Sequence, residues 1–204
     1  ADPWSAEDHS SFNDGVYFGH LEVAKYLWSR HPRQKRLVKA LKEQDLQPVH
    51  LAGSGGHREL MEFLVGVGFS LHARSQADAR TPLYNAAEMG HLDVVGLLAR
   101  RRADVRAQTR AGWQAIHAAS NQGHAKVVQL LVSLRVAPTQ ATSSDGDQPL
   151  HQAAYGGHVG VVSFLLKARA EPDAEFGRGL RPLAVAAQSG HRPVMRFLER
   201  YDEL

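Results

Sequence analysis

Cysteine is absent from all 204 residues, which excludes disulfides, thiolate metal sites and a cysteine nucleophile. Long hydrophobic runs are absent too. The longest aliphatic stretches, such as Val94 to Ala99, are interrupted by glycine and are far too short to span a bilayer. Neither charge sign is in large excess. The 24 Lys and Arg stand against 21 Asp and Glu, and a net +3 does not by itself argue for nucleic acid or a membrane surface. The chain has no G-x-S-x-G, no phosphate-loop signature and no H-E-x-x-H. No signal peptide is visible, and a chain that opens on Ala1 rather than Met is expected to be a fragment, a processed chain or an expression product. What is present is 43% hydrophobic and 22% charged residues, the balance of a folded chain rather than a disordered one.

Self-similarity is the strongest signal. Gly-His dipeptides stand at Gly19-His20, Gly56-His57, Gly90-His91, Gly123-His124, Gly157-His158 and Gly190-His191, spaced by 37, 34, 33, 34 and 33 residues. A second series keeps step with them: Gln47-Pro48-Val49-His50, Thr81-Pro82-Leu83-Tyr84, Gln114-Ala115-Ile116-His117, Gln148-Pro149-Leu150-His151 and Arg181-Pro182-Leu183-Ala184. Two locked series with a period of 33 to 34 residues mark a tandem repeat.

The residues of one unit predict its structure. Thr81 is a good helix N-cap, and Pro82 sits in the first turn, where its missing N–H costs nothing. Ala86 and Ala87 allow close helix contact, and Gly90 ends the first helix. A second helix follows from His91, with Val94, Val95, Leu97 and Leu98 on its apolar stripe. Gly112, Gly146 and Gly179 fit a turn just before the next unit. One such unit cannot bury its apolar face alone, so stability comes from stacking on neighbours.

This pattern resembles the ankyrin repeat, Thr-Pro-Leu-His-x-Ala-Ala followed by Gly-His and Val-Val-x-Leu-Leu. Thr81 to Leu98 is a close match throughout, Gln148 to Leu166 nearly as close, and the resemblance covers about residues 10 to 204. It implies an all-α solenoid of helix–turn–helix units with short finger loops, elongated and monomeric. The expected organisation is a single domain over 1–204. Its units are 10–30 (a degenerate cap), 47–80, 81–113, 114–147, 148–180 and 181–204 (a C-terminal cap).

The departures from the pattern carry information. Gln47, Gln114, Gln148 and Arg181 replace the capping Thr, a loss of roughly 0.5–2 kcal/mol each if nothing compensates. Tyr84 and Ala184 replace His, and Asn13-Asp14-Gly15 stands where helix-favouring alanines belong. The connector 31–46 is too long. Residues 33 to 45 lack Gly and Pro and place Leu37, Val38 and Leu41 on one face, which predicts an extra helix.

Twelve histidines invite a metal hypothesis, but nine are repeat positions and the offset of seven within His50/His57, His117/His124 and His151/His158 belongs to the repeat. No metal or other cofactor is expected. Gly53-Ser54-Gly55-Gly56 reads as a turn between helices, since a phosphate loop should follow a strand. Charge is clustered. Residues 30 to 42 hold Arg30, Arg33, Lys35, Arg36, Lys39 and Lys42 with no acid, for +6. Residues 100 to 110 carry +4, which leaves −7 for the rest of the chain. Solvated helix ends account for such clusters as readily as a docking patch does.

The family resemblance implies a non-catalytic scaffold or adaptor that recognises another protein on its concave face. The positions left free by the repeat are the expected contacts: Arg80, Glu88, Met89, Arg110, Trp113, Asn121, Gln122, Asp147 and Tyr155, suited to a partner with apolar anchors and acidic flanks. The alternatives are a regulatory or targeting segment of a larger enzyme or channel, and a basic patch at 30–42 for an acidic partner or, less favoured, nucleic acid. No membrane insertion is expected. The expected location is the cytoplasm, with the nucleus as the alternative that the 30–42 cluster offers.

Overall fold

Proline begins the first helix of the unit at Pro48, Pro82, Pro149 and Pro182, where its fixed φ is preorganised for a helical turn. The computed structural model describes residues 6–30, 34–142 and 145–201, without the side chains of 6–9 and 34–37. Among these residues it contains thirteen helices: α1 (Ala6–Tyr17), α2 (Leu21–Arg30), α3 (Gln34–Lys42), α4 (Pro48–Gly55), α5 (Arg58–Gly66), α6 (Pro82–Glu88), α7 (Leu92–Arg100), α8 (Ala115–Asn121), α9 (Ala125–Ser133), α10 (Pro149–Tyr155), α11 (Val159–Lys167), α12 (Pro182–Gln188) and α13 (Arg192–Tyr201). The only extended pairing among them is an isolated antiparallel bridge between Phe176 and Leu180. The chain is all-α.

Six helix pairs follow the Gly-His series, and α3 stands alone in the long connector. α1 begins at Ala6, four residues before the unit boundary drawn at residue 10. It runs through Asn13-Asp14-Gly15 because Phe12 and Val16, one turn apart, are both buried.

The chain falls into two compact units. One comprises Ala1–Ala86 and Asp93–Asp104, the other Ala87–Leu92 and Val105–Leu204. In the first, α1 packs on α2 and α4, and α4 on α5. In the second, α8, α10 and α12 form a row of first helices, and α9, α11 and α13 a row of second helices. The core is the apolar stripe predicted for each unit: Val94, Val95, Leu97 and Leu98 are buried, as are Val127, Val128 and Leu131, and Val161, Val162 and Leu165.

The second helices end in a left-handed residue. Gly68 holds that place in one unit, and Arg102, Arg135 and Arg169 hold it in the next three, with φ of 64, 63 and 70°. Around each arginine the chain doubles back, as when Arg135 N–H donates to the Val132 carbonyl and Val136 N–H to that of Leu131.

Candidate functional site

The histidines tie helix starts to finger carbonyls, and four of them tie a unit to the one before it. In the first series, the backbone N–H of Gln47, Gln114 and Gln148 donates to Nδ1 of His50, His117 and His151, each at 3.1 Å. A backbone N–H can only donate, so Nδ1 is the acceptor and the proton sits on Nε2. Nε2 then donates to the carbonyls of Arg80 (3.1 Å), Asp147 (3.3 Å) and Ala174 (2.8 Å) on the following finger. The glutamine side chains make no cap bond. The histidine accepts from the N-cap residue's own N–H, not from the helix N–H that a threonine caps, and it ties the helix start to the following finger. Where Thr81 is present, its Oγ1 accepts from Tyr84 N–H. Arg181 has neither device, and its guanidinium instead reaches Asp173 and Glu175 at 3.3 and 3.4 Å.

The second series points the other way along the chain. Nε2 of His57, His124, His158 and His191 donates to the carbonyls of Tyr17, Glu88, Asn121 and Tyr155 at 2.8 to 3.0 Å. These carbonyls stand two residues before a Gly-His glycine. The glycine is needed twice over: its φ lies near +80°, and a Cβ on Gly90, Gly123 or Gly157 would sit 2.4 to 2.6 Å from the next unit's imidazole. Burial holds the first-series rings neutral. It pushes His117 down to about 4, and His50 and His151 downward too. Among the described residues no group of three His, Asp or Glu could hold a metal ion.

The expected contact residues divide into exposed and built-in groups. Met89 and Tyr155 are 54% and 60% exposed. Arg110 and Gln122 are exposed, while Glu88, Asn121 and Trp113 are half-buried. The Trp113 ring stacks on His117, with centroids 6.2 Å apart. Asn121 Nδ2 donates to Gln152 Oε1 at 2.8 Å, and Gln122 leans on Asn121. Arg80 belongs to the other compact unit, where it pairs with Asp78 and lies over the Tyr84 ring.

Asp147 requires a correction. It was expected on the partner-facing surface, yet only 4% of it is exposed. Its backbone accepts from His117 and Thr142, and its carboxylate accepts from Gln152 Nε2. Burial pushes the carboxyl up to about 6. It organises the finger from inside, and the periodicity that located the finger could not tell its inner side from its outer side.

Tyr17 and Phe18 occupy free positions of the repeat too, although they were not among the expected contacts. They stand at the offset of Glu88 and Met89 and are 50% and 64% exposed, in edge-to-face contact. Of the basic cluster, Arg30, Lys39 and Lys42 are exposed. Arg33 lies outside the described residues, as do the side chains of Lys35 and Arg36.

A family model described as ankyrin repeats (three copies) matches residues 12–109, 49–141, 98–176 and 116–202. The chain belongs to the ankyrin-repeat family. Ankyrin repeats are non-catalytic protein–protein interaction modules. Among similar proteins are the E3 ubiquitin-protein ligase XBAT33 of Arabidopsis thaliana, 38% identical over 42% of this chain and 17% of the ligase. The probable 26S proteasome regulatory subunit p28 of Saccharomyces cerevisiae is 32% identical over 59% of this chain and 52% of that protein. The human transient receptor potential cation channel subfamily A member 1 is 29% identical over 59% of this chain and 12% of the channel. The alignments thus cover about half the length of the proteasome subunit and far less of the ligase and the channel. No helix among the described residues is long and apolar enough to cross a membrane.

Proposed function

We propose that this ankyrin-repeat chain is a stoichiometric recognition module whose partner protein lies along the ends of the first helices. The observation that carries the reading is where the apolar surface falls. Tyr17, Phe18, Met89 and Tyr155, all half or more exposed, stand one or two residues before a Gly-His glycine. Exposed aromatic and methionine side chains on a rigid scaffold make interface anchors, because little freedom is lost on binding. Within the second compact unit, Met89 and Tyr155 stand two repeats apart, with Gln122 on the repeat between them. Arg110 is exposed in the same unit, which suits a partner with apolar anchors and acidic flanks.

A pull-down with the whole chain tests the reading. Met89→Ser with Tyr155→Ser should lose the captured partner, and Trp113→Ala should weaken capture by about 2 kcal/mol or more. Capture that survives all three changes sinks it. A targeting role within a larger protein is the second reading, favoured because the ligase and channel relatives are far longer than the matched region. The full-length reading frame decides it.

A further inference from the structure

Asp147 lies inside its finger, yet a chain of side chains leads from it to the surface. It stands just before α10, and Gln152 of α10 donates from Nε2 to its Oδ2. Gln152 is buried, and its Oε1 accepts from Asn121 Nδ2, one repeat earlier, at 2.8 Å. Asn121 is half-buried at the end of α8, and its Oδ1 accepts from Nε2 of the exposed Gln122 at 3.3 Å. Gln122 stands on the repeat between Met89 and Tyr155, in the row of first-helix ends.

The sense of each bond follows from the buried end of the chain. A side-chain amide has a donor end and an acceptor end of nearly the same shape, so packing alone does not choose between its two orientations. An ionised carboxylate can only accept. Gln152 must therefore turn Nε2 toward Asp147, which leaves Oε1 toward Asn121. Asn121 must answer with Nδ2, which turns Oδ1 toward Gln122. Gln122 then spends an N–H on Asn121 and keeps Oε1 for a partner's donor. The first link is the strong one, because its acceptor is charged and shielded from water. The carboxylate is also kept at a cost in stability, since Oδ1 is buried with no hydrogen-bond partner among the described residues. For packing alone a neutral side chain would serve better.

We propose that Asp147 is a positioning residue for the partner-facing row: through Gln152 it fixes which ends of the Asn121 and Gln122 amides face outward. The inference rests on the first-helix ends being the partner site, and it adds how the polar part of that site is held in one hydrogen-bonding sense between the apolar anchors Met89 and Tyr155. Among the described residues, the titratable groups facing Asp147 are Asp145 on its own finger, His151 of α10, whose Nδ1 is 3.8 Å from Oδ1, and His117 of α8, whose Nε2 donates to its backbone carbonyl. Burial favours the neutral form of both rings. At the other end of the chain His158 donates to the Asn121 backbone carbonyl.

The test is side-chain NMR of the isotope-labelled whole chain between pH of about 7.5 and 5, the range through which the Asp147 carboxyl titrates. Its carboxyl carbon reports protonation, which replaces a charged acceptor by a weaker neutral one. The amide signals of Gln152 and Asn121 should shift with the same midpoint as that carbon, and those of Gln122 should follow by a smaller amount. Asp147→Asn keeps an acceptor but removes the titration, so all three amides should stop responding. Gln152→Met keeps the volume and cuts the relay, so Asn121 and Gln122 should stop responding while the carboxyl carbon still titrates. Asn121 and Gln122 signals that ignore the carboxyl titration in the parent chain overturn the proposal. So do signals that still follow it in Gln152→Met, which makes the coupling a field through space, or that still titrate in Asp147→Asn, which assigns the response to His158. The parent chain and Asp147→Asn each refute the relay alone, even where Gln152→Met fails to fold. None of these measurements needs the partner, so failure of the relay leaves the partner site standing, and loss of the partner site leaves the relay measurable.

Discussion

His117 and Asp147 pull the acid stability of the molecule in opposite directions. The unfolded His117 titrates near 6.5 and the folded one at about 4. Between those values the unfolded chain binds more protons, so stability falls as pH drops through that window, by about 3 kcal/mol for the full shift. His50 and His151, lowered by the same burial, add to the loss. Asp147 does the reverse. It titrates at about 6 folded and near 3.8 unfolded, so the fold binds more protons in between and gains stability as pH falls. Asp147→Asn should therefore stabilise the protein at neutral pH and steepen its loss on acidification. Urea midpoints at pH of about 7.5, 5.5 and 4.5 check this, and equal pH slopes for variant and parent would refute it. At this scale the sequence was only partly legible. Trp113 was expected at a finger tip, but its ring lies half-buried against His117. Its truncation should still cost less stability than Leu98→Ala, a fully buried large-to-small change worth about 2–5 kcal/mol.

Between units, the connection is a glycine of one repeat under a histidine of the next. Gly157 and Gly190 separate its two demands. Both have left-handed φ, at 78 and 76°, so alanine carries a similar backbone strain at each. A Cβ at Gly157 would meet His191 at 2.6 Å, whereas at Gly190 it meets nothing within 4 Å. Gly157→Ala should cost more than Gly190→Ala by about 1–3 kcal/mol, the usual range for overpacking. Chemical denaturation of the two variants measures the difference, and equal losses would mean that the ring moves aside freely. Most of the elements were readable beforehand. Pro at helix starts, Gly at helix ends and the Val-Val-x-Leu-Leu stripe located the helix pairs from unit two onward. The left-handed arginines were not readable, because an exposed Arg at a helix end looks like any solvated cation.

Across the whole chain, twelve histidines would ordinarily raise the question of metal. Here four Gly-His rings spend Nε2 on the preceding unit's carbonyl, and three first-series rings spend it on a carbonyl in the finger that closes their own unit. Chelator should leave the melting curve unmoved, and a melting temperature that falls on adding EDTA would show that some of them bind metal instead. The sequence by itself determined the repeat, its period, the helix pairs and the buried stripes, because each follows from local propensity and from a spacing that every copy restates. Tertiary structure decided the rest. Whether Asp147 faces inward and whether Gly190 carries a histidine above it both depend on what the adjacent unit places against the same motif position. A repeat sequence writes those positions alike, and only the packing of neighbours makes them different.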